Sequence, residues 1–132
     1  MKTIYIAGKI KGLSFDEVVK KFATAQTKLE AEGYNVINPI ELLIKQNWNR
    51  RDCNLPPLSE EKDRSEILKM DIYHLTTFCN AIYLLSDWMD SRGAAMEFHI
   101  ANVLGLEILA QDGCEYCVEM DIKAGKKVAV DA

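Results

Sequence analysis

The sequence has no run of about 18 consecutive apolar residues, so nothing in it reads as a membrane-spanning helix. It has no excess of positive charge either: 16 lysines and arginines against 20 aspartates and glutamates give a formal net charge of −4. General nucleic-acid binders are usually basic, which excludes that class, although a local basic patch can still hold one phosphate. No internal repeat, low-complexity stretch or linker breaks the 132 residues. That length suits one domain, residues 1–132, around one core. The opening MKTIYIAGKIKG has too short an apolar run for a signal peptide and passes straight into a strand pattern, so a cytoplasmic location is expected.

Metal-ligand spacing is also scarce. Of the four cysteines, only Cys114 and Cys117 form a CxxC; Cys53 and Cys79 stand apart, and His74 and His99 are in ligand spacing with nothing. A structural zinc wants four ligands, so these read as ordinary reduced thiols. No metal or other cofactor is implied.

What is present is an alternation of strands and helices. KTIYIAG (2–8) reads as a buried first strand. Ser14 and Glu17 form a capping box, and Phe15, Val18, Phe22, Ala25 and Leu29 recur at helical spacing up to a stop at Gly33. YNVINP (34–39) reads as a second strand halted by proline. The polar NWNRRDCNLPP (47–57) reads as a long loop, with at most a helical turn over 41–45. Ser59 is expected to cap a helix with Glu60 and Glu61 in its first turn and Ile67, Leu68, Met70, Ile72 and Leu75 on its apolar side. AIYLL (81–85) is a third strand, Ser91 to Leu104 a helix closed by Gly105, and GLEILA (105–110) a fourth strand; KKVAVDA (126–132) adds a short strand. The pattern predicts a doubly wound, flavodoxin/Rossmann-like α/β fold: a mostly parallel sheet of four to five strands with helices on both faces. Ligands bind such sheets beyond the carboxyl ends of the strands, at the topological switch point. Those ends fall at Gly8–Gly12 and Asp87–Gly93.

The two turns are rich in candidate groups. In GKIKG, Gly8 and Gly12 let a ligand approach the backbone, and Lys9 and Lys11 supply charge for an anion; a tight turn with solvated lysines is the plainer reading. In SRGAAME, Ser91 offers a hydroxyl at a helix start, where free N–H groups favour anions, and Gly93 keeps the surface low. Glu97, six residues on, points back toward the strand ends from a largely apolar helix face. Such a glutamate is either functional or paired with a lysine or with Tyr5. Asp71, within LKMDIYHL, is a second carboxylate, directed inward or simply solvated. Asp87 and Asp90 are ordinary turn residues, and Trp88 either stacks on a base or packs on the loop. Two carboxylates at one cleft with an anion pocket suit cleavage of a glycosidic bond.

These segments resemble the nucleoside 2-deoxyribosyltransferase family, including its hydrolase branch acting on 2′-deoxynucleoside 5′-monophosphates. YIAGKIKG, Asp71 in its helix, CNAIYLLSDW and above all SRGAAMEFHIANVLGLEIL carry the resemblance, which runs from Ile4 to about Leu109. It implies Glu97 as the nucleophile at C1′ of deoxyribose, kept ionised with help from the N-terminal half of its helix. It implies Asp71 as the group that handles the base's proton and Tyr5 as the hydroxyl that positions Glu97. Gly8, Lys11, Gly12, Ser91 and Gly93 would line the sugar-phosphate end, with Asp87 and Trp88 beside them. The implied partner is a small-molecule nucleoside or nucleotide, with no nucleic acid and no membrane, and the implied assembly is a homodimer or a higher homo-oligomer. Two other readings stay open: a nucleotide-sensing protein of this fold that cleaves nothing, and an enzyme for another N-ribosyl compound.

Overall fold

The computed structural model describes residues 2–111 and 128–131. Five parallel strands form one sheet in the order β2-β1-β3-β4-β5: β1 (Thr3–Ala7), β2 (Asn35–Ile37), β3 (Ala81–Leu84), β4 (Glu107–Gln111) and β5 (Val128–Asp131). The chain steps one way from β1 to β2 and the other way to β3, so the switch point lies between β1 and β3. Tyr5 is level with Ile37 on one side and Ile82 on the other.

Strand alternation divides the core. Ile4, Ile6, Tyr83, Leu85 and Leu109 face one layer, where they meet Val18, Phe22, Ala25 and Leu29 of α1 (Phe15–Ala31) and Ile40 of α2 (Pro39–Asp52). Tyr5, Ala7, Ile82, Leu84, Ile108 and Ala110 face the other, against Leu75 of α3 (Arg64–Phe78) and Ala94, Phe98 and Ala101 of α4 (Arg92–Leu104). The alanines on both sides of this second interface let α4 lie close to the sheet. Tyr5 therefore points its ring into the α3–α4 layer because of its place in the period-two pattern.

Local signals explain most element ends. The Ser14 hydroxyl accepts the Glu17 N–H at 3.2 Å, and that of Ser91 accepts the Ala94 N–H at 3.2 Å. Phe15 departs from the expected apolar stripe: it opens α1 and is 63% exposed.

Two expectations fail between residues 39 and 64. Pro39 does not merely end a strand; it is the first residue of α2, and Asn38 caps that helix by accepting the Ile40 N–H at 2.9 Å. A first-position proline loses only an N–H with no helical partner. The stretch expected as loop is therefore helical as far as Asp52. Only Pro39 and Ile40 of α2 are buried, so it has no broad apolar stripe to reveal it. The true loop, 53–63, is pinned by Asn47, whose side chain accepts the Leu58 N–H at 2.6 Å and donates to the Leu58 carbonyl at 3.2 Å. The second failure is the start of α3. Ser59 and Asp63 close a turn, with Ser59 N–H donating to Asp63 Oδ2 at 2.8 Å and Asp63 N–H to the Ser59 carbonyl at 2.7 Å. Glu60 and Glu61 lie in that turn, and the helix begins five residues later than Ser59, at Arg64.

Candidate active site

A cleft of about 280 Å³ opens at the carboxyl ends of β1 and β3. The β1–α1 turn supplies Gly8, Lys9 and Lys11; α3 supplies Arg64, Leu68 and Asp71; the start of α4 supplies Ser91, Gly93 and Glu97. Sequence reasoning brought Gly8, Lys11, Ser91, Gly93, Asp71 and Glu97 to one place, and the structure has all six on this wall.

Glu97 is 5% exposed and Asp71 6% exposed. The fully buried Tyr5 hydroxyl donates to Glu97 Oε2 at 2.5 Å. No lysine or arginine lies within ion-pair distance of either carboxyl among the described residues, and Asp71 Oδ1 is buried with no hydrogen-bond partner. Such an acceptor is costly to leave unsatisfied in a folded protein. Burial pushes the Glu97 carboxyl up to about 8; the Tyr5 hydrogen bond and the Arg64 charge oppose the rise, and Glu60 adds to it. Burial pushes Asp71 up to about 9, with Glu97 and Glu60 adding repulsion and the nearby Tyr5 hydroxyl opposing the rise. The Tyr5 hydroxyl is itself held well above its usual value, by burial first and then by Glu97 and Asp71. This corrects the expectation of a glutamate kept ionised by its helix. Glu97 lies beyond the first turn of α4, where the helix dipole acts, and desolvation wins.

Gly8 sits where the strand end passes closest to its neighbour: a Cβ there would come within 2.4 Å of Leu85 Cδ1. Its role in the structure is close packing. Gly12 has φ +86°, a conformation that favours glycine, and it faces a second cleft rather than the first. Asp87 and Trp88, expected beside the ligand, do not line the cleft. Asp87 instead grips the turn: Oδ1 accepts the Lys9 N–H at 3.0 Å and Oδ2 binds Lys21 Nζ at 2.6 Å, while Lys21 also donates to the Lys9 carbonyl. Trp88 is 2% exposed and packs on Phe98, with ring centroids 4.7 Å apart. An apolar ring next to a helix with a tight inner face finds its partner in the core. Cys114 and Cys117 lie outside the described residues; Cys53 is exposed and Cys79 buried. No group of three or more potential metal ligands occurs among the described residues.

The family model described as "Domain of unknown function (DUF4406)" matches residues 2–110, a span holding every group named at the cleft. The chain belongs to the DUF4406 family. No curated protein sequence matches it. Among solved structures, its fold is similar to that of a 2-deoxyribosyltransferase from the psychrotolerant bacterium Bacillus psychrosaccharolyticus, described as a biocatalyst for the synthesis of antiviral and antitumoral nucleosides. The match has a TM-score of 0.58 at 20% identity and covers 83% of this chain and 71% of the other. At that identity the likeness establishes the α/β fold. No helix among the described residues of this DUF4406 domain is long and apolar enough to cross a membrane.

Sequence reasoning missed Arg64 and Glu60. Both line the first cleft and also the second, of about 360 Å³, whose other walls include Ile10, Gly12, Leu13, Phe15, Ile40 and Leu43. With α3 expected to start at Ser59, Arg64 would have been an interior helix residue in a charged run. The signal that locates it is Asp63, whose side chain closes the turn before the helix and makes Arg64 its first residue.

Proposed function

We propose that this DUF4406 domain cleaves the N-glycosidic bond of a 2′-deoxynucleoside or its 5′-monophosphate, transferring deoxyribose to another base or to water. The observation that carries the reading is the buried pair: Glu97 held by Tyr5, and Asp71 with an unsatisfied oxygen, at the switch point of a parallel sheet. Glu97, once ionised, attacks C1′ as the bond to the base breaks, and the sugar is held as an ester. Asp71, raised by burial and by repulsion from Glu97, keeps its proton once Glu97 carries the charge. It gives that proton to the departing base nitrogen. A base or water then attacks C1′ and gives its proton back to Asp71, the ester bond to Glu97 breaks, and Glu97 is released as the carboxylate. Deoxyribose lacks the electron-withdrawing 2′-hydroxyl and reaches an oxocarbenium-like transition state more readily than ribose. Oligomer formation belongs to this proposal; exposed Tyr73 and Phe78 on α3 and Val103 and Leu104 on α4 are apolar surface that a partner subunit would cover.

The test is incubation with deoxynucleosides, their monophosphates and the ribose counterparts, with and without an acceptor base, for wild type and Glu97→Ala. Free base from wild type alone supports the reading; a new nucleoside with added base makes the protein a transferase; activity that needs the 2′-hydroxyl points to another N-ribosyl substrate. One observation favours a second reading. Both carboxyls are raised above neutrality, and an uncharged pair donates hydrogen bonds to a ligand without attacking it. A nucleotide that binds tightly and is recovered unchanged would support that sensor.

A further inference from the structure

Glu60 is the carboxylate that the two clefts share, and the chemistry above leaves it unused. It is half-buried. Burial raises its value, and Arg64, four residues on, favours its charged form. Its own charge raises both Glu97 and Asp71, while Arg64 opposes the rise at Glu97 and Tyr5 on β1 opposes it at both. The remaining charged groups at the cleft are Lys9 and Lys11 on the β1–α1 turn, Asp90 ahead of α4 and Arg92 at its start.

Glu60 has neither a helix nor an apolar anchor of its own to keep it there. Within 53–63 only Leu58 is buried, and the adjoining α2 is buried only at Pro39 and Ile40. The Asn47 amide joins the two: Oδ1 accepts the Leu58 N–H at 2.6 Å and Nδ2 donates to the Leu58 carbonyl at 3.2 Å. One side chain thus satisfies both backbone groups of a single residue. Two residues on, Glu60 sits in the turn that Ser59 and Asp63 close. Arg64 instead belongs to α3, which is held in the core by Ile67 and Leu75. Loss of the Asn47 clamp therefore frees Glu60 and leaves Arg64 in place. Asn47 itself lines neither cleft.

We infer that Asn47 is a positioning residue of the candidate site: it acts through Glu60, keeping that carboxylate on the cleft wall, where its negative charge works against ionisation of Glu97 and Asp71. An amide on a helix outside the cleft then governs how readily the pair takes up charge. This rests on the N-glycosidic reading only for what the pair does; the placement of Glu60 stands without it.

The experiment titrates the Glu97 and Asp71 side-chain carboxyls by carbon NMR in the full, isotope-labelled chain, for wild type, Asn47→Ala, Glu60→Gln and the double variant. Glu60→Gln should lower the pH at which the pair titrates by at least about half a unit, the size expected of one charge acting across a partly buried cleft. Asn47→Ala should move it in the same direction, and the double variant should go no lower than Glu60→Gln alone. A merely structural Asn47 would lower the melting temperature and leave the titration unmoved. That result overturns the proposal. So does an unmoved titration in Glu60→Gln, or an Asn47→Ala shift that persists in full in the Glu60→Gln background. If Asn47→Ala does not fold, Asp63→Ala decides in the same way. It cuts the tie on the other side of the turn, and the Asp63 charge adds nothing to the rise of either carboxyl. The same samples assayed for base release separate the two claims. The expected shifts without base release from any compound leave the positioning role standing and remove the glycosidic chemistry. Base release with a titration untouched by Asn47→Ala and Glu60→Gln does the reverse.

Discussion

Helices α3 and α4 each aim one buried carboxyl at the same cleft, yet they hold it differently. On α4, Glu97 is fixed by the Tyr5 hydroxyl within a helix capped by Ser91 and ended at Gly105. On α3, Asp71 has an oxygen with no partner, in a helix whose N-cap makes no side-chain hydrogen bond. The first arrangement suits a group whose position must not change during attack. The second leaves a donor or acceptor for a ligand to complete. Both are destabilising to bury, and proteins tolerate such groups where activity requires them.

The comparison breaks most severely at Glu97. Glu97→Gln should lower base release by at least about 10³-fold, as loss of a nucleophile does, measured by chromatography of the products. Relative to wild type, the same variant should become more stable as pH rises. A carboxyl whose folded value is raised to about 8 keeps its proton in the folded state while the unfolded chain loses its own above about pH 4. Stability fully present below the unfolded value is therefore lost as pH rises toward the folded one. Thermal melts of wild type and Glu97→Gln should nearly coincide at about pH 4 and separate by several degrees at about pH 8, with the variant higher.

Asp71→Asn comes next, with a loss of about 10²-fold in kcat, typical of removing a general acid. The loss should shrink for a substrate whose base is already cationic through N-methylation, since such a base departs without a proton. An equal loss for both substrates would make Asp71 a binding group only.

Tyr5→Phe tests the contrast, because it removes the hydrogen bond that fixes Glu97. Wild-type kcat/KM should rise as Glu97 ionises near about 8 and fall as Asp71 ionises near about 9, the two values belonging to the pair. Without the Tyr5 hydroxyl, which pulls both carboxyl values down, both limbs should move to higher pH and kcat should drop by about tenfold. The smallest effect belongs to the grip on the β1–α1 turn. Lys21→Met removes the cation that joins Asp87 to the Lys9 carbonyl. It should raise KM a few-fold and change kcat little, whereas Lys21→Arg should restore most of the loss.

Which parts were legible follows from the kind of signal each region carries. α4 and its glutamate stood out because a cap, an apolar face, a stop glycine and a misplaced charge coincide within 15 residues. The cleft between Gly8 and Gly93 was legible because a parallel sheet places ligands at its switch point. α2 was not, since a helix with one buried end has no stripe to read, and Pro39 signals a start as readily as a stop. Arg64 was hidden by the same local ambiguity, because Ser59 and Asp63 both resemble caps. Asp87 and Trp88 were placed beside the ligand by proximity in sequence, but the directions of their side chains depend on Lys21 and Phe98, residues from other elements.

The central claim is that Glu97 takes the sugar. Its most direct test is intact-mass and peptide mapping of protein quenched in acid during turnover of the substrate the panel identifies. The account predicts one deoxyribosyl group bound to the peptide that contains Glu97, absent in Glu97→Gln and discharged by added base or water. Base release at full rate from Glu97→Gln, or a deoxyribosyl group on any other residue, would contradict it.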